Sequence, residues 1–319
     1  MRASLANDGL PVSRVGRWFY ALKPASWPKL FVPALFGQIL GVGPSGGLDV
    51  QALGWGLAFT VLGLGFIVLL NDWGDRRVDA IKRQMFPDGC SPKTIPDGIL
   101  GARAVGAAGL MLGGATVAVA AGAELNLHRP LAFEAGLVCM LVFVAYTLPP
   151  IRLNYRGGGE LLEMLGVGAA LPLYNAYLQG GAVGPWVWPW IAGFSVMSLA
   201  GGVASGLSDE ESDRAGGKRT LASVYGNAVA RRWTESCVLV GVGIWVVASL
   251  WRPDWVPMWA ALPAAAIAVW NFVRMRKLSH AAVTNAFRAQ GAYKRFLHRA
   301  IWHSTTVAAV LLWLRPGLA

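Results

Sequence analysis

The chain contains a series of apolar runs, each about 20 residues long, which is the length a helix needs to cross a hydrocarbon core of about 30 Å. They fall at roughly 26–43, 51–71, 100–122, 131–149, 159–180, 186–207, 234–251, 255–273 and 297–315. Charged residues make up only 14% of the chain, against roughly 25% in a soluble domain. The fold class this predicts is an all-α integral membrane protein with about nine transmembrane helices.

The net charge of +11 is explained by where the basic residues lie. With the N-terminus cytoplasmic, only Arg129, Arg252 and Arg315 of the 28 lysines and arginines fall on the outer side. Such a bias sets a multi-pass orientation, and no nucleic-acid partner is needed to account for it. Residues 1–20 carry Arg2, Arg14 and Arg17 without an apolar core and cleavage site, so the first span is expected to be the targeting signal. Cys90, Cys139 and Cys237 are widely spaced and form no CxxC pair. The histidines suggest no metal cluster, His298 and His303 being five apart and so on different helix faces.

The outer connections, 44–50, 123–130, 181–185 and 252–254, are short and poor in charge, while the inner ones, 72–99, 150–158, 208–233 and 274–296, are longer and polar. Function is therefore expected on the cytoplasmic face. A weak repeat supports a single membrane domain of two related halves, roughly 23–158 and 159–296, plus a last helix, 297–315. The second span runs into Asn71-Asp72-Trp73-Gly74-Asp75, and the sixth into Ser208-Asp209-Glu210-Glu211-Ser212-Asp213.

On a helix, Asp72 and Asp79 are nearly eclipsed and roughly 10 Å apart along the axis, with Asp75 between them on the same side. Asp209 and Asp213, four apart, would share a face of the sixth span. Carboxylates near a helix C-terminus oppose its dipole, and an ionised group at bilayer depth costs about 2.5–3.5 kcal/mol or more. A cation must offset them. Mg²⁺ suits hard carboxylate oxygens and usually shares its coordination with phosphate. The basic residues Lys23, Arg76, Arg77, Lys82, Arg83, Lys93, Arg152, Lys218 and Arg219 then form the other half of a diphosphate site. One acidic run after a membrane helix is commonly a solvated loop; two at matching helix ends point to a site. A transporter would place its acids at mid-membrane depth, whereas these sit at helix ends.

The motifs resemble the UbiA family of membrane prenyltransferases. Asn71-Asp72-x-x-Asp75-x-x-x-Asp79 is similar to that family's first aspartate-rich motif. Asp209-x-x-x-Asp213, followed by Arg214-Ala215-Gly216-Gly217-Lys218-Arg219-Thr220-Leu221, is similar to the second. Lys23-Pro24-Ala25-Ser26-Trp27-Pro28 resembles the entry to the family's first helix, with lysine in place of arginine. The stretch from Tyr146 to Arg152, with Tyr155-Arg156-Gly157-Gly158-Gly159-Glu160, resembles members that prenylate dihydroxynaphthoate or make chlorophylls. The Tyr-x-x-x-Lys pattern of the hydroxybenzoate branch is missing, because Pro150 stands four after Tyr146, and Lys93 replaces a usual arginine in "FPDGCSPKTIPDG".

The resemblance implies a helical bundle around a central cavity, capped on the cytoplasmic side and open sideways to lipid. It implies transfer of a prenyl group from a prenyl diphosphate to an aromatic, quinone-precursor-like acceptor, with cyclisation of the prenyl diphosphate without an acceptor, as in terpene cyclases of the family, as the alternative. Asp72, Asp75, Asp79, Asp209 and Asp213 would hold Mg²⁺, with Asn71 in support. Lys23, Arg76, Lys93, Arg152, Lys218 and Arg219 would bind diphosphate. Tyr146 would face the allylic cation or serve as an interfacial anchor. Glu160 would orient or deprotonate the acceptor, or simply favour a helix start. Trp186, Trp188, Trp190, Trp251 and Trp255 read as an interfacial belt, and Arg274, Arg276, Lys277, Lys294 and Arg295 as a topology signal.

Overall fold

A computed structural model describes residues 13–43 and 46–314 of the chain; Arg2 and Arg315, used above for topology, lie outside them. Helices occupy all nine apolar runs. After a short α1 (Arg14–Ala21) come α2 (Pro28–Val42), α3 (Val50–Met85), α4 (Ala102–Leu127) and α5 (Ala132–Thr147). The fifth run is α6 (Gly159–Glu163), a π turn (Met164–Ala170) and α7 (Leu171–Gly180) in sequence. Then follow α8 (Val187–Ser205), the short α9 (Glu210–Ala215) and α10 (Leu221–Tyr225), α11 (Asn227–Trp251), α12 (Met258–Leu278) and α13 (Phe287–Trp313).

Among the described residues, 6 helical stretches are long and apolar enough to cross a membrane: Val50–Met85, Ala102–Leu127, Gly159–Gly180, Val187–Ser208, Asn227–Trp251 and Met258–Ala281. Pro28–Val42 and Ala132–Thr147 are apolar but shorter. α13 carries Arg288, Lys294, Arg295 and Arg299 in its first half. Large apolar side chains such as Leu110, Met111, Leu125, Leu141 and Trp270 are exposed on the outside of the bundle, as lipid contact requires. The chain is an integral, multi-pass helical membrane protein.

Two boundaries differ from the sequence reading, and both shape the site. α3 begins at an Asp49 cap, whose carboxylate accepts from the Gln51 and Ala52 amides at 2.9 and 3.0 Å. It then runs unbroken for 36 residues, about 54 Å at 1.5 Å per residue, so Asp72, Asp75 and Asp79 lie on helix rather than in a connection starting at 72. The sixth run does the reverse. α8 stops at Ser205 and passes through a 3₁₀ turn, Gly206–Ser208, so Asp209 and Asp213 are not on the spanning helix: Asp209 precedes α9 and Asp213 sits within it. The break has local causes. The Ser205 hydroxyl donates to the Gly202 carbonyl at 2.6 Å, and Gln290 of α13 donates to the Leu207 carbonyl at 2.9 Å, holding the bend against the bundle.

Small residues bring the helices together. A Cβ on Gly241 of α11 would stand 2.6 Å from the Gly193 carbonyl oxygen of α8 and 3.2 Å from the Met197 amide, and one on Gly193 would stand 2.7 Å from the Gly241 carbonyl. Beside this contact Phe36, Trp190 and Trp245 form a fully buried aromatic cluster. The Trp245 indole donates to the Trp190 carbonyl at 2.9 Å. Trp190 is thus core rather than belt, its period along α8 turning it inward, while Trp188 and Trp251 face out at 53% and 81% exposure. On the other side of α2, Gln38 donates to Asn175 of α7 at 2.9 Å in the interior, a polar contact that orients α2 and α7 where lipid offers no partner.

Gly241→Ala is expected to destabilise the bundle by about 1–3 kcal/mol through overpacking against backbone. Gly243→Ala, where a Cβ meets nothing within 4 Å, should be neutral or stabilising. Paired thermal melts in detergent measure the difference.

Candidate active site

The C-terminal part of α3 presents Asp72, Asp75, Asp79 and Lys82 along one stripe, spaced at three, four and three residues. Asp72, Asp75 and Lys82 are each less than 9% exposed, and Asp213 of α9 is 2% exposed. Buried carboxylates need counter-charges and hydrogen bonds, and these come from segments that gather around the end of α3. Lys23 pairs with Asp72 Oδ1, and the Thr94 hydroxyl donates to Asp72 Oδ2 at 2.6 Å. Lys93 Nζ is 2.6 Å from Asp79 Oδ1. Lys218 Nζ is 2.8 Å from Asp75 Oδ2, whose other oxygen receives Asn154 Nδ2 at 3.5 Å. Lys82 pairs with Asp209.

Two of these pairs cross reciprocally. An acid of α3 meets the lysine after α9, and a lysine of α3 meets the acid before it. Among the described residues, Asp213 is the one of these five carboxylates without an ion pair; the Thr220 hydroxyl reaches it at 3.4 Å. Burial, reinforced by Asp209 and Asp75 and opposed by Lys218, pushes the Asp213 carboxyl up to about 7. For Asp209 burial works against ionisation, and Lys82, Lys93 and Lys218 outweigh it, bringing the carboxyl to about 2. Burial and counter-charge thus act in opposite directions on these two acids.

Backbone strain marks the same place. Lys23 (φ 49°) and Arg152 (φ 45°) hold left-handed conformations, which cost a non-glycine residue about 1–3 kcal/mol and persist where the surroundings enforce them. Arg152 donates to the Gly74 carbonyl at 2.8 Å and lies 3.5 Å from the centre of the Tyr155 ring, tying the 148–158 turn to α3.

The other residues picked out by sequence divide into two groups. Asn71 accepts from the Thr147 hydroxyl at 3.2 Å. With Tyr146 and Lys23 it lines a cavity of about 200 Å³ whose remaining wall is largely apolar. Arg76 is directed elsewhere: it donates to its own helix at the Trp73 carbonyl, 2.6 Å away, and lies over the Trp73 ring. Arg219 is exposed and pairs with none of the five carboxylates. Glu160 accepts the Leu221 amide at 2.7 Å, capping α10 rather than facing the cavity. The cavity-lining carboxylate is Glu163, one turn on, 2.7 Å from Lys29.

Sequence reasoning missed Thr94, Asn154, Glu163 and Lys29, which reach the site through tertiary packing. Lys82 had a signal, since it continues the Asp72, Asp75, Asp79 stripe. Among the described residues, no three acidic, histidine or cysteine side chains converge as a ready metal-ligand set. The donors are nevertheless hard carboxylate oxygens, and Mg²⁺ typically takes only one or two of these and completes its shell with phosphate oxygens and water. The residues fit that ion in company with a phosphate ligand.

A membrane-embedded helical bundle with a largely apolar cavity edged by Lys23, Lys29 and Glu163, beside a cluster of paired aspartates and lysines, is the class of protein this fold defines. The UbiA prenyltransferase family model matches residues 30–300, and the chain belongs to that family. A chlorophyll synthase of Oryza sativa subsp. japonica chloroplasts is 26% identical over 224 residues, 66% of this chain and 55% of that protein. An Arabidopsis thaliana chlorophyll synthase is 25% identical over 220 residues, 66% of this chain and 53% of that one. The chain thus spans about half the length of these relatives. The structure of a UbiA homolog from Archaeoglobus fulgidus bound to DMAPP and Mg²⁺ shares the fold with a TM-score of 0.65 at 17% identity, covering 92% of this chain and 100% of that one.

The reciprocal pairing has a measurable signature. Lys218→Met leaves Asp75 buried without its cation and should cost about 3–5 kcal/mol. Adding Asp75→Leu should recover most of that loss, giving a large coupling in a double-mutant cycle read by unfolding in detergent.

Proposed function

We propose that the protein transfers a prenyl group from a prenyl diphosphate to an aromatic acceptor within the membrane, in a reaction that depends on Mg²⁺. The observation that carries this reading is the junction at Asn71 and Lys23, where a largely apolar cavity bounded by Leu64, Ile67, Val68 and Phe143 ends at Lys23, the ion-pair partner of Asp72. An isoprenoid chain belongs on one side of that junction and a diphosphate on the other. The Archaeoglobus fulgidus homolog, solved with DMAPP and Mg²⁺ and also with GPP and Mg²⁺, supports the same ligands here.

Asp72, Asp75, Asp79, Asp209 and Asp213 are the candidates to hold Mg²⁺ together with the diphosphate. The ion would supply positive charge to the oxygens on which negative charge develops as diphosphate leaves. Lys23, Lys93 and Lys218, already aimed into the cluster, are placed to bind the remaining phosphate oxygens. Preorganised cations of this kind lower a barrier because they need no reorganisation during reaction. The bond from C1 of the prenyl group to oxygen breaks with its electron pair going to diphosphate. An electron pair of the acceptor then forms the new bond to C1. The hydrogen displaced from the acceptor leaves as a proton, for which Glu163, held by Lys29, is the carboxylate that lines both cavities. The Tyr146 ring, on the wall beside Asn71, suits stabilisation of the allylic cation.

Transfer is favoured over cyclisation by a second, more polar cavity of about 560 Å³ that adjoins the first, since a cyclase needs no room for an acceptor. The distribution of lysine and arginine supports nine spans with the N-terminus and site cytoplasmic. In that arrangement the segments around the end of α3 form the cytoplasmic cap. The reciprocal pairs between α3 and the α9 region support two facing halves.

Purified protein incubated with GPP, Mg²⁺ and a panel of phenols and aromatic acids should yield a prenylated aromatic, and EDTA should abolish it. Asp72→Asn and Asp213→Asn should each lower turnover by about 100-fold or more while the protein elutes unchanged in gel filtration. A hydrocarbon or terpene alcohol formed without acceptor would favour the cyclase, and absence of any Mg²⁺-dependent product would overturn both.

A further inference from the structure

From residue 255 to 319 the chain has eight lysines and arginines and no aspartate or glutamate. Some of these cations have partners in the bundle: Arg276 of α12 is 2.6 Å from Glu235 of α11, and Lys294 of α13 meets the Ser208 hydroxyl at 2.8 Å. Arg274 and Arg299 are held differently. The Arg274 guanidinium carbon lies 4.5 Å from the centre of the Trp270 ring and 5.9 Å from that of Phe296. That of Arg299 lies 5.5 Å from the same Phe296 ring. Two like charges, one from α12 and one from α13, therefore share an aromatic surface. Among the described residues neither side chain makes an ion pair or donates a hydrogen bond, and ring contact leaves the N–H donors of a guanidinium without an oxygen acceptor.

The pair stands at an edge of the apolar part of the bundle. Arg274 directly follows the apolar run 255–273, and Arg299 lies at the start of the run 297–315. Gln290 and Lys294, earlier on α13, reach the Leu207 carbonyl and the Ser208 hydroxyl at the α8–α9 bend, so this edge belongs to the end of the bundle that holds the aspartates. Away from it along α12, Leu262, Val269, Trp270 and Val273 are exposed, Trp270 by 62%. An outward apolar stripe thus ends at two guanidiniums. A topology signal requires a count of positive charges, and it does not require two arginines gathered on one ring.

We infer that the outer face of α12 and α13 is a binding site for an anionic phospholipid, with Arg274 and Arg299 holding its phosphate and the apolar stripe of α12 receiving its acyl chains. Guanidinium is the cation suited to this task, since its planar fork matches phosphate oxygens and it stacks on aromatic rings. Basic pockets between membrane helices bind anionic head groups in the same way. Charge selects among lipids: the ammonium of a zwitterionic head group would meet a second positive charge and, on these two helices, no carboxylate. Trp270, apolar in body and polar at its N–H, suits the boundary between acyl chains and head groups. The site is on the outside of the bundle and does not depend on the transferase reading.

Native mass spectrometry of the full chain in detergent, titrated with phosphatidylglycerol and with phosphatidylcholine of the same acyl chains, tests the inference. Phosphatidylglycerol should bind the more tightly. R274Q and R299Q should each reduce that preference about fivefold, the scale of one basic residue facing an anionic lipid, and the double variant should abolish it. R103Q, which removes an exposed charge near the start of α4, should leave it unchanged. No preference in the parent protein, a preference that survives the double variant, or a loss in R103Q equal to that in R274Q would each overturn the inference. Displacement of the lipid by glycerol 3-phosphate, which would mark a site for free phosphate, or by GPP, which would mark the aspartate cluster, would also overturn it. If the double variant does not elute as a single species, the two single variants compared with R103Q decide the matter.

Discussion

The carboxylates on the end of α3 are the constraint around which the rest is arranged. Asp72, Asp75 and Asp79 stand on a helix that continues past its apolar stretch, and burial of ionised groups is tolerable only with matched partners. Each partner comes from a different part of the chain: Lys23 from before α2, Lys93 from the segment after α3, and Lys218 from after α9. The lysines draw those segments over the helix end, and the return pair, Lys82 with Asp209, fixes the α8–α9 bend from the opposite direction. The gathering of these polar segments at one end of α3 follows from this pairing rather than from any propensity of the loops.

Away from that end, packing rather than charge sets the geometry. Glycines let α8 and α11 approach until carbonyl oxygens stand where a Cβ would be, and the aromatic cluster of Phe36, Trp190 and Trp245 fills the space beside them. The π turn at Met164–Ala170 does something different. Its widened turn exposes backbone, and the Ser195 hydroxyl accepts the consequence by donating to the Gly168 carbonyl at 2.9 Å. Glu163, the residue just before the turn, faces the interior with Lys29 as its counter-ion. π insertions in helices tend to occur at functional sites, and here one stands at the wall between two cavities.

The aspartate spacing on α3 was legible because a helix converts separations of three and seven into a shared face, whatever the surroundings. The same rule applied to Asp209 and Asp213 misplaced them, because the helix leaves its register at Ser205–Ser208 under hydrogen bonds from residues as distant as Gln290. Charge type was likewise legible and charge direction was not. Lys93, Arg76 and Arg219 are equivalent as basic residues, yet Lys93 reaches Asp79, Arg76 folds back onto Trp73, and Arg219 faces out. Glu160 and Glu163 differ by less than one helical turn, and that rotation sends one to the α10 amide and the other to the cavity.

By itself the sequence determined that this is a helical membrane protein, because runs of about 20 apolar residues have no other stable home. It also determined that a cationic ligand set must meet the acids, because unpaired charge at a membrane edge is too costly to keep. Only the tertiary structure decided which lysine meets which aspartate, that a largely apolar cavity shares a wall with a more polar one, and that Glu163 and Lys294 rather than Glu160 and Arg219 line them. Those outcomes depend on rotations of a fraction of a turn and on contacts between residues more than a hundred positions apart. Such relations are set when helices pack, and no local pattern records them.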